Sequence, residues 1–547
     1  MTYEPGEEQQ EIIEADDPVL LVCGGAGTGK TTTAAAAVRA HLERADRERT
    51  AATRRRERLP VARALFLSFS RSSVAQILDR TADVLGSYGS RVEITTFHAF
   101  AWRLLTRWGS VIGLTDPQML TDAEAKLFRV DDAIRYQDMM PRALDLCAVP
   151  AVRDYLQARW SIIVSDEFQD TDDRQFELLT TVRGQARLLL LGDPNQCIYS
   201  TLPGAVGVGP ERLDAAMALS DARRLDLPDV SHRDPSNILP AAAAAIRRRE
   251  FEHEAVITAL DSGRLQVRAG LPIDKEADVV AEVVQSLRED GTSVGVFSHH
   301  IDATTGLSDQ LTQRGIDHEI VGLPECLATA LEAQHAMIRF AAGADDWQSV
   351  REQLAVFVTS SVRGKQAPDL AWMFLGRRSM PATLNRRLTE LSEALLADDI
   401  GEAVKHAAAA HTTLGLPRGE NHWHNATQLL QPLVARHLRR HPDPADAIEH
   451  LAAAIGEHRA GLLSYAVGEP AAPVQLMGLY QTKGREADAT IVVLRSNDFY
   501  GRERYEPFDT GSKLLYVVLS RARHKTVVLL FGDDPQPLVA PLVKLAS

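Results

Sequence analysis

Short apolar runs closed by glycine or small polar residues recur along the chain: Val19–Val22, Ala64–Phe69, Val92–Ile94, Trp160–Ser165 and Arg187–Leu191, then Leu265–Arg268, Val294–Phe297, Ile491–Leu494 and Thr526–Phe531. Such runs, mostly apolar rather than alternating, predict strands covered on both faces. Between them lie segments with apolar residues at helical spacing, such as Leu514, Leu515, Val518 and Leu519. Repeated strand, loop and helix predict an α/β fold with a parallel sheet wound on both faces. Two stretches break the rhythm. Ala99–Arg159 and about 323–470 are mostly helical, the second with Ile448, Leu451, Ile455 and Leu462 at helical spacing.

The first run feeds a glycine-rich loop, VLLVCGGAGTGKT from Val19 to Thr31. This fits G-x-x-x-x-G-K-[ST]. Gly24, Gly25, Ala26, Gly27, Thr28 and Gly29 would turn backbone N–H groups inward on phosphate oxygens, Lys30 would meet the β- and γ-phosphates, and the Thr31 hydroxyl a Mg²⁺. The following helix N-terminus adds partial positive charge. Upstream, the Gln9 amide both donates and accepts, so it can read the edge of an adenine. The run Trp160–Ser165 delivers Asp166-Glu167-Phe168-Gln169-Asp170. Adjacent carboxylates at a strand end suit phosphoryl transfer, Asp166 holding Mg²⁺ while Glu167 orients and deprotonates water. Arg187–Leu191 delivers GDPNQCIY, which sets Gln196 where it can feel a γ-phosphate. Phe69 and Phe97, with its neighbour His98, stand just past strand ends, on the edge where open α/β sheets bind ligands and where a ring can stack on a base.

Composition narrows the class. Hydrophobic residues make up 45% and charged residues 24% of 547, with no apolar run long enough to span a bilayer. The polar, acidic start MTYEPGEEQQ does not resemble a secretory leader, so a cytoplasmic protein without a membrane partner is expected. A formal net charge of −14 confines any polyanion site to a local patch. The densest basic run, Arg44–Arg63, reads first as a solvated surface loop. Four scattered cysteines without a C-x-x-C pair argue against a disulfide framework, zinc ribbon or iron–sulfur cluster. The triplet His422, Trp423, His424 lacks a third ligand at suitable spacing and reads as a polar loop.

GGAGTGKT, DEFQDT and GDPNQCIY, in that order, resemble the nucleotide site of superfamily 1 DNA helicases of the UvrD/Rep/PcrA type. The resemblance implies two RecA-like parallel-sheet domains of P-loop NTPase type meeting across ATP: residues 1–224 with a helical insertion at about 99–159, and 225–547 with a reduced insertion at about 323–470. The family's N-Y-R-S falls on SHRDPSNIL, which gives Arg233 the reach to the γ-phosphate and His232 the place of an adenine-stacking tyrosine. Its T-x-H-x-x-K-G-L-E falls on GLYQTKGRE, with Glu486 at the ribose or in communication with DNA, and Tyr480 in place of a histidine on the DNA side. Its Y-V-x-x-T-R-A falls on YVVLSRA, making Arg521 the second arginine across the interface. Positive charge there would stabilise the transition state of phosphoryl transfer.

There are departures. Where the family has R-W-R-G-A, Ser200–Ala205 read STLPGA, so Leu202 and Pro203 replace a tryptophan that stacks on single-stranded DNA. Arg485 replaces a leucine and Thr32 an arginine. The implied activity is ATP- and Mg²⁺-dependent translocation, 3′-to-5′, on single-stranded or tailed DNA, in repair or genome defence. No spaced Asp, Glu and Lys pattern of a nuclease follows the last strand. The departures leave a second reading open: a nucleotide-switched helicase-like subunit controlling a nuclease or other protein partner, as in phage-defence complexes, with little unwinding of its own.

Overall fold

A computed structural model describes residues 4–69, 71–128, 130–200, 205–288, 291–299, 307–308, 310–311, 313–321, 324–362, 364, 366–397, 399–440, 448, 450–451, 472–498 and 500–546. The chain divides into two compact units, one of residues 1–112, 140–322 and 469–547 and the other of residues 113–139 and 323–468.

Two six-stranded sheets organise the first unit. The first sheet is built from β1 (Val19–Cys23), β2 (Ala64–Ser68) and β3 (Val92–Thr96), then, past β4 (Gln118–Leu120) and β5 (Ala133–Arg135) of the second unit, from β6 (Ile162–Ser165), β7 (Arg187–Gly192) and β8 (Ala222–Asp226). Its order is β3-β2-β6-β7-β1-β8. The second is built from β9 (Leu265–Leu271), β10 (Val294–Ser298), β11 (Glu319–Ile320), β12 (Val474–Gly478), β13 (Ala487–Arg495) and β14 (Ala522–Phe531), in the order β11-β12-β10-β13-β14-β9. Neighbouring strands run parallel in both. The fold is therefore α/β, two RecA-like sheets of P-loop NTPase type.

Strands such as β1 and β7 are buried at every position, which is why their sequences, VLLVC and RLLLLG, are continuous apolar runs. Their register, Val19 opposite Leu188 through Cys23 opposite Gly192, sets the loops after them side by side, and Gly24 N donates to Gly192 O at 3.2 Å. β6 pairs with β7 on the other side, so Asp166 emerges at the same edge. β8 pairs with β1, Leu225 opposite Val22, so the first sheet continues through Asp226 and the expected start of the second domain at 225 falls inside it. The helix Lys30–Arg54 runs through much of the basic stretch expected as a loop, because it is rich in alanine and arginine, which favour helix.

The second unit is helical, with a core in which Leu331, Leu354, Phe357 and Trp423 pack together. Ala123 and Leu127 belong to the same core. The segment expected to ride on the first sheet as one insertion is therefore split: Phe97–Trp108 and Pro150–Gln157 stay in the first unit, while 113–139 joins the second. β4 and β5 form a two-stranded parallel pair there, each too short to show an apolar pattern. His422, Trp423 and His424 are not a loop. They open the helix Glu420–Arg440, in which Trp423 is 1% exposed and its Nε1 donates to Ala407 O at 2.9 Å. Ile448 and Leu451 are buried as their spacing predicts, and Ile455 and Leu462 lie outside the described residues. None of the described helices is long and apolar enough to cross a membrane.

Candidate nucleotide site

The loop after β1 turns through Gly27 (φ 81°) and Gly29 (φ 86°), left-handed conformations that glycine adopts without cost. Lys30 Nζ donates back to Gly24 O (2.7 Å) and Gly25 O (2.9 Å), so the lysine closes the loop on itself. A cavity of about 310 Å³ opens over the loop from Ala26 to Thr32, and Asp166, Glu167, Gln196, His232, Arg233, Glu486 and Arg521 all line it. Gly24 and Gly25 form the loop's base instead. Gln9 lines an adjoining space of about 1060 Å³ together with Gly29 and His232, its Nε2 3.4 Å from Thr28 O.

The two carboxylates are set apart by their surroundings. Burial, and then the neighbouring Glu167 charge, push the Asp166 carboxyl up from the usual range. Burial acts in the same sense on Glu167, but Lys483 and Lys30 outweigh it and hold that carboxyl low. The pair is thus pushed in opposite directions, Asp166 up and Glu167 down. Its backbone is left-handed (φ 52°), which a non-glycine residue adopts only when its surroundings enforce it. Gln169 Nε2 donates to Glu167 Oε2 at 2.7 Å. Lys483 lies 3.6 Å from Glu167, pairs with Asp170, and donates to Gln196 O at 2.7 Å.

Residues beyond the first sheet complete the cavity. Arg521 follows the helix Asp509–Leu519, and its Nη2 donates to Gln196 Oε1 at 3.0 Å. Burial, and then the neighbouring Arg233 charge, lower its guanidinium to about 10. Arg233 Nη2 donates to Glu486 Oε1 at 2.5 Å and its Nη1 to Ser520 O. Glu486 also pairs with Arg80 and lies 3.5 Å from Arg523. Although burial works against ionisation, the Arg233 and Arg80 charges hold this carboxyl far below the usual range. Its surroundings are thus a cluster of guanidiniums.

Lys483, Asp170 and Gln169 escaped the sequence reading as site residues although they stood inside its motifs. The opposite charges of Asp170 in DEFQD and Lys483 in TKGRE were the available signal. Arg80 offered none, since an arginine between aspartate and threonine on the helix Arg71–Leu85 looks like a solvated charge.

On the side expected to meet DNA, Phe69 is half-buried and stacks on Tyr199, ring centroids 4.8 Å apart with 26° between planes. Tyr199 Oη donates to Tyr480 O at 2.6 Å, so Phe69 and Tyr480 are joined through it. Phe97 is corrected: at 1% exposure it belongs to the core, because it opens the helix capped by Thr96 and faces inward, leaving no face for a base. Burial lowers the His98 imidazole to about 4, which keeps it neutral near pH 7. Leu202 and Pro203 lie outside the described residues.

A family model described as an AAA domain matches residues 9–202. The ATP-dependent DNA helicase UvrD1 of Mycobacterium bovis is 22% identical over 397 residues, covering 58% of this chain and 49% of that protein. The ATP-dependent DNA helicase PcrA of Staphylococcus aureus is 21% identical over 255 residues, 35% of this chain and 33% of that protein. The chain is thus similar to DNA helicases of the UvrD/PcrA type. A stretch of 75 residues, 13% of the chain, is also 39% identical to the RecBCD enzyme subunit RecB of Mycobacterium tuberculosis, over 7% of that protein. This UvrD/PcrA-like chain spans about half the length of UvrD1. The AAA match takes in the phosphate loop, both carboxylates and Gln196, whereas Arg233, Lys483, Glu486 and Arg521 come from beyond it.

Proposed function

We propose that the chain is an ATP-dependent DNA helicase or translocase acting on single-stranded or tailed DNA, with its motor built on the two parallel sheets, the first running through β8 to Asp226 and the second beginning at β9. The observation that carries this reading is the meeting of Arg521 with Gln196 in a cavity that also holds Lys30, Glu167 and Arg233. Phosphoryl transfer needs positive charge on the transferring group from outside the phosphate loop, and here four guanidiniums, those of Arg80, Arg233, Arg521 and Arg523, share the cavity with the loop. In this reading the N–H groups and Lys30 hold phosphates, Glu167 accepts the proton of the attacking water, and Arg233 and Arg521 stabilise the charge that develops. The hydroxyl of Thr31 and the carboxylate of Asp166 are hard oxygen donors on one cavity wall, a donor set that fits Mg²⁺, which when bound would neutralise phosphate charge. Gln9 and His232 stand on the base side, and Glu486 on the ribose side. Phe69, His98 and Tyr480 are the candidates on the DNA side.

Movement 3′-to-5′ and a role in repair or genome defence rest on the family likeness. The RecB-like stretch supports a second reading, a nucleotide-switched subunit acting through a protein partner. Steady-state ATP hydrolysis with and without single-stranded DNA tests both. Strong stimulation by DNA that is absent in Lys30→Ala is expected, and Glu167→Gln is expected to bind ATP without turning it over. DNA-indifferent turnover would favour the partner-controlled reading, and normal turnover by Glu167→Gln would remove that residue from its role.

A further inference from the structure

Behind the cavity wall a side chain from the second sheet's connections reaches the phosphate loop. Tyr516, on the helix Asp509–Leu519, is buried, and its Oη accepts from Ala26 N at 3.1 Å. The same hydroxyl lies 3.5 Å from Asp193 Oδ2, an oxygen that also accepts from Gln196 Nε2 at 2.7 Å. A methyl added at Gly25 would stand 3.4 Å from it. One hydroxyl therefore touches the first turn of the phosphate loop and the turn that aims Gln196. Ala26 and Gln196 line the cavity, while Tyr516 stands outside the lining.

We propose that Tyr516 is a positioning residue for hydrolysis, whose hydroxyl fixes the spacing between the Ala26 end of the phosphate loop and the Asp193–Gln196 turn. The phenol accepts from a neutral N–H and turns its own proton toward the buried Asp193 carboxylate, so it has a defined orientation at both ends. Its ring belongs to the same buried apolar core as Ile198, Phe508 and Val518, which leaves the hydroxyl little freedom to move independently of the helix that carries it. Arg521 lies five residues further along the same segment and donates to the side-chain oxygen Oε1 of Gln196, so one segment grips the turn at two points. Of the loop's N–H groups the phenol takes that of Ala26 and does not touch Lys30, which separates binding from turnover. The hydroxyl acts on the γ-phosphate end of the site only through Ala26 and Gln196.

This rests on the reading of the cavity as an ATPase site. The test is kcat and KM for ATP, with binding of a fluorescent ATP analogue and the thermal midpoint, in the full chain, Tyr516→Phe and Lys30→Ala. Loss of one oriented hydrogen bond is expected to lower kcat about fivefold to twentyfold in Tyr516→Phe, with KM and analogue affinity within about twofold and the midpoint nearly unchanged. Asp193→Asn, which keeps the phenol and its packing but removes the charge facing it, is expected to lower kcat in the same way. If the unaltered chain neither binds nor hydrolyses ATP, the ATPase reading fails and the assignment with it. If the unaltered chain turns over and either variant matches its kcat, or if kcat, KM and midpoint of Tyr516→Phe collapse together, the assignment alone is overturned.

Discussion

The Glu486 carboxylate is held by arginines from three separate parts of the chain: Arg80 and Arg233 on one oxygen, Arg523 near the other. Removing its charge would leave buried Arg233 facing two other guanidiniums without compensation. Breaking a buried pair by removing one partner costs about 3–5 kcal/mol, so Glu486→Gln is expected to lower the thermal midpoint of the first unit clearly; an unchanged midpoint would mean the arginines find other partners. A second residue-scale effect is titration. His41, with its Nε2 3.0 Å from Ser161 Oγ, is lowered to about 4 by burial, then by the Arg187 and Arg44 charges. The unfolded imidazole takes its proton near pH 6.5 and the native one only near pH 4, so the native state holds this stability above pH 6.5 and loses it as pH falls through that window. The loss amounts to at most about 3 kcal/mol, and His41→Asn should flatten the stability–pH curve between pH 6.5 and 4. Residues with a chemical reason to be one type were legible: the loop glycines, Lys30, the two carboxylates. Arg80 and Tyr516 were not, because each gains its role from a partner more than 400 residues away in sequence.

At the scale of elements, the phosphate loop depends on glycines that differ in what surrounds them. Gly27 has φ +81°, and a Cβ there would lie 2.3 Å from Ser231 Oγ and 3.2 Å from Arg233 Cβ. Gly86 also has positive φ, +51°, yet a Cβ there meets nothing within 4 Å. Gly86→Ala should therefore cost about 1–2 kcal/mol of stability and leave nucleotide affinity unchanged. Gly27→Ala must also displace Ser231, whose hydroxyl accepts from Arg233 N at 3.2 Å, so it is expected to weaken binding of an ATP analogue more than tenfold. Equal effects of the two substitutions on affinity would refute the distinction. Continuous apolar runs made the central strands of both sheets readable, since burial on both faces demands them. β4, β5 and β11 are two or three residues long and carry no period to detect. The triplet around Trp423 misled for the opposite reason: two histidines flanking a tryptophan look polar in sequence, while the helix turns the indole into the core.

At the scale of the molecule, the nucleotide cavity draws all its lining from the first unit, whereas the second unit has a helical core of its own. Apolar clusters that close separately melt separately when few contacts unite them, and a ligand raises the stability only of the part that binds it. Calorimetry should then resolve two transitions. A non-hydrolysable ATP analogue with Mg²⁺ is expected to raise one and leave the other in place. Trp423→Ala removes a fully buried indole and its bond to Ala407 O, a loss of about 3–5 kcal/mol that belongs to the second unit. It should lower the transition the analogue does not move, while analogue affinity stays as in the unaltered chain. A single transition shifted both by the analogue and by Trp423→Ala would mean that the two units fold as one cooperative body, and that the helical core contributes directly to the stability of the site.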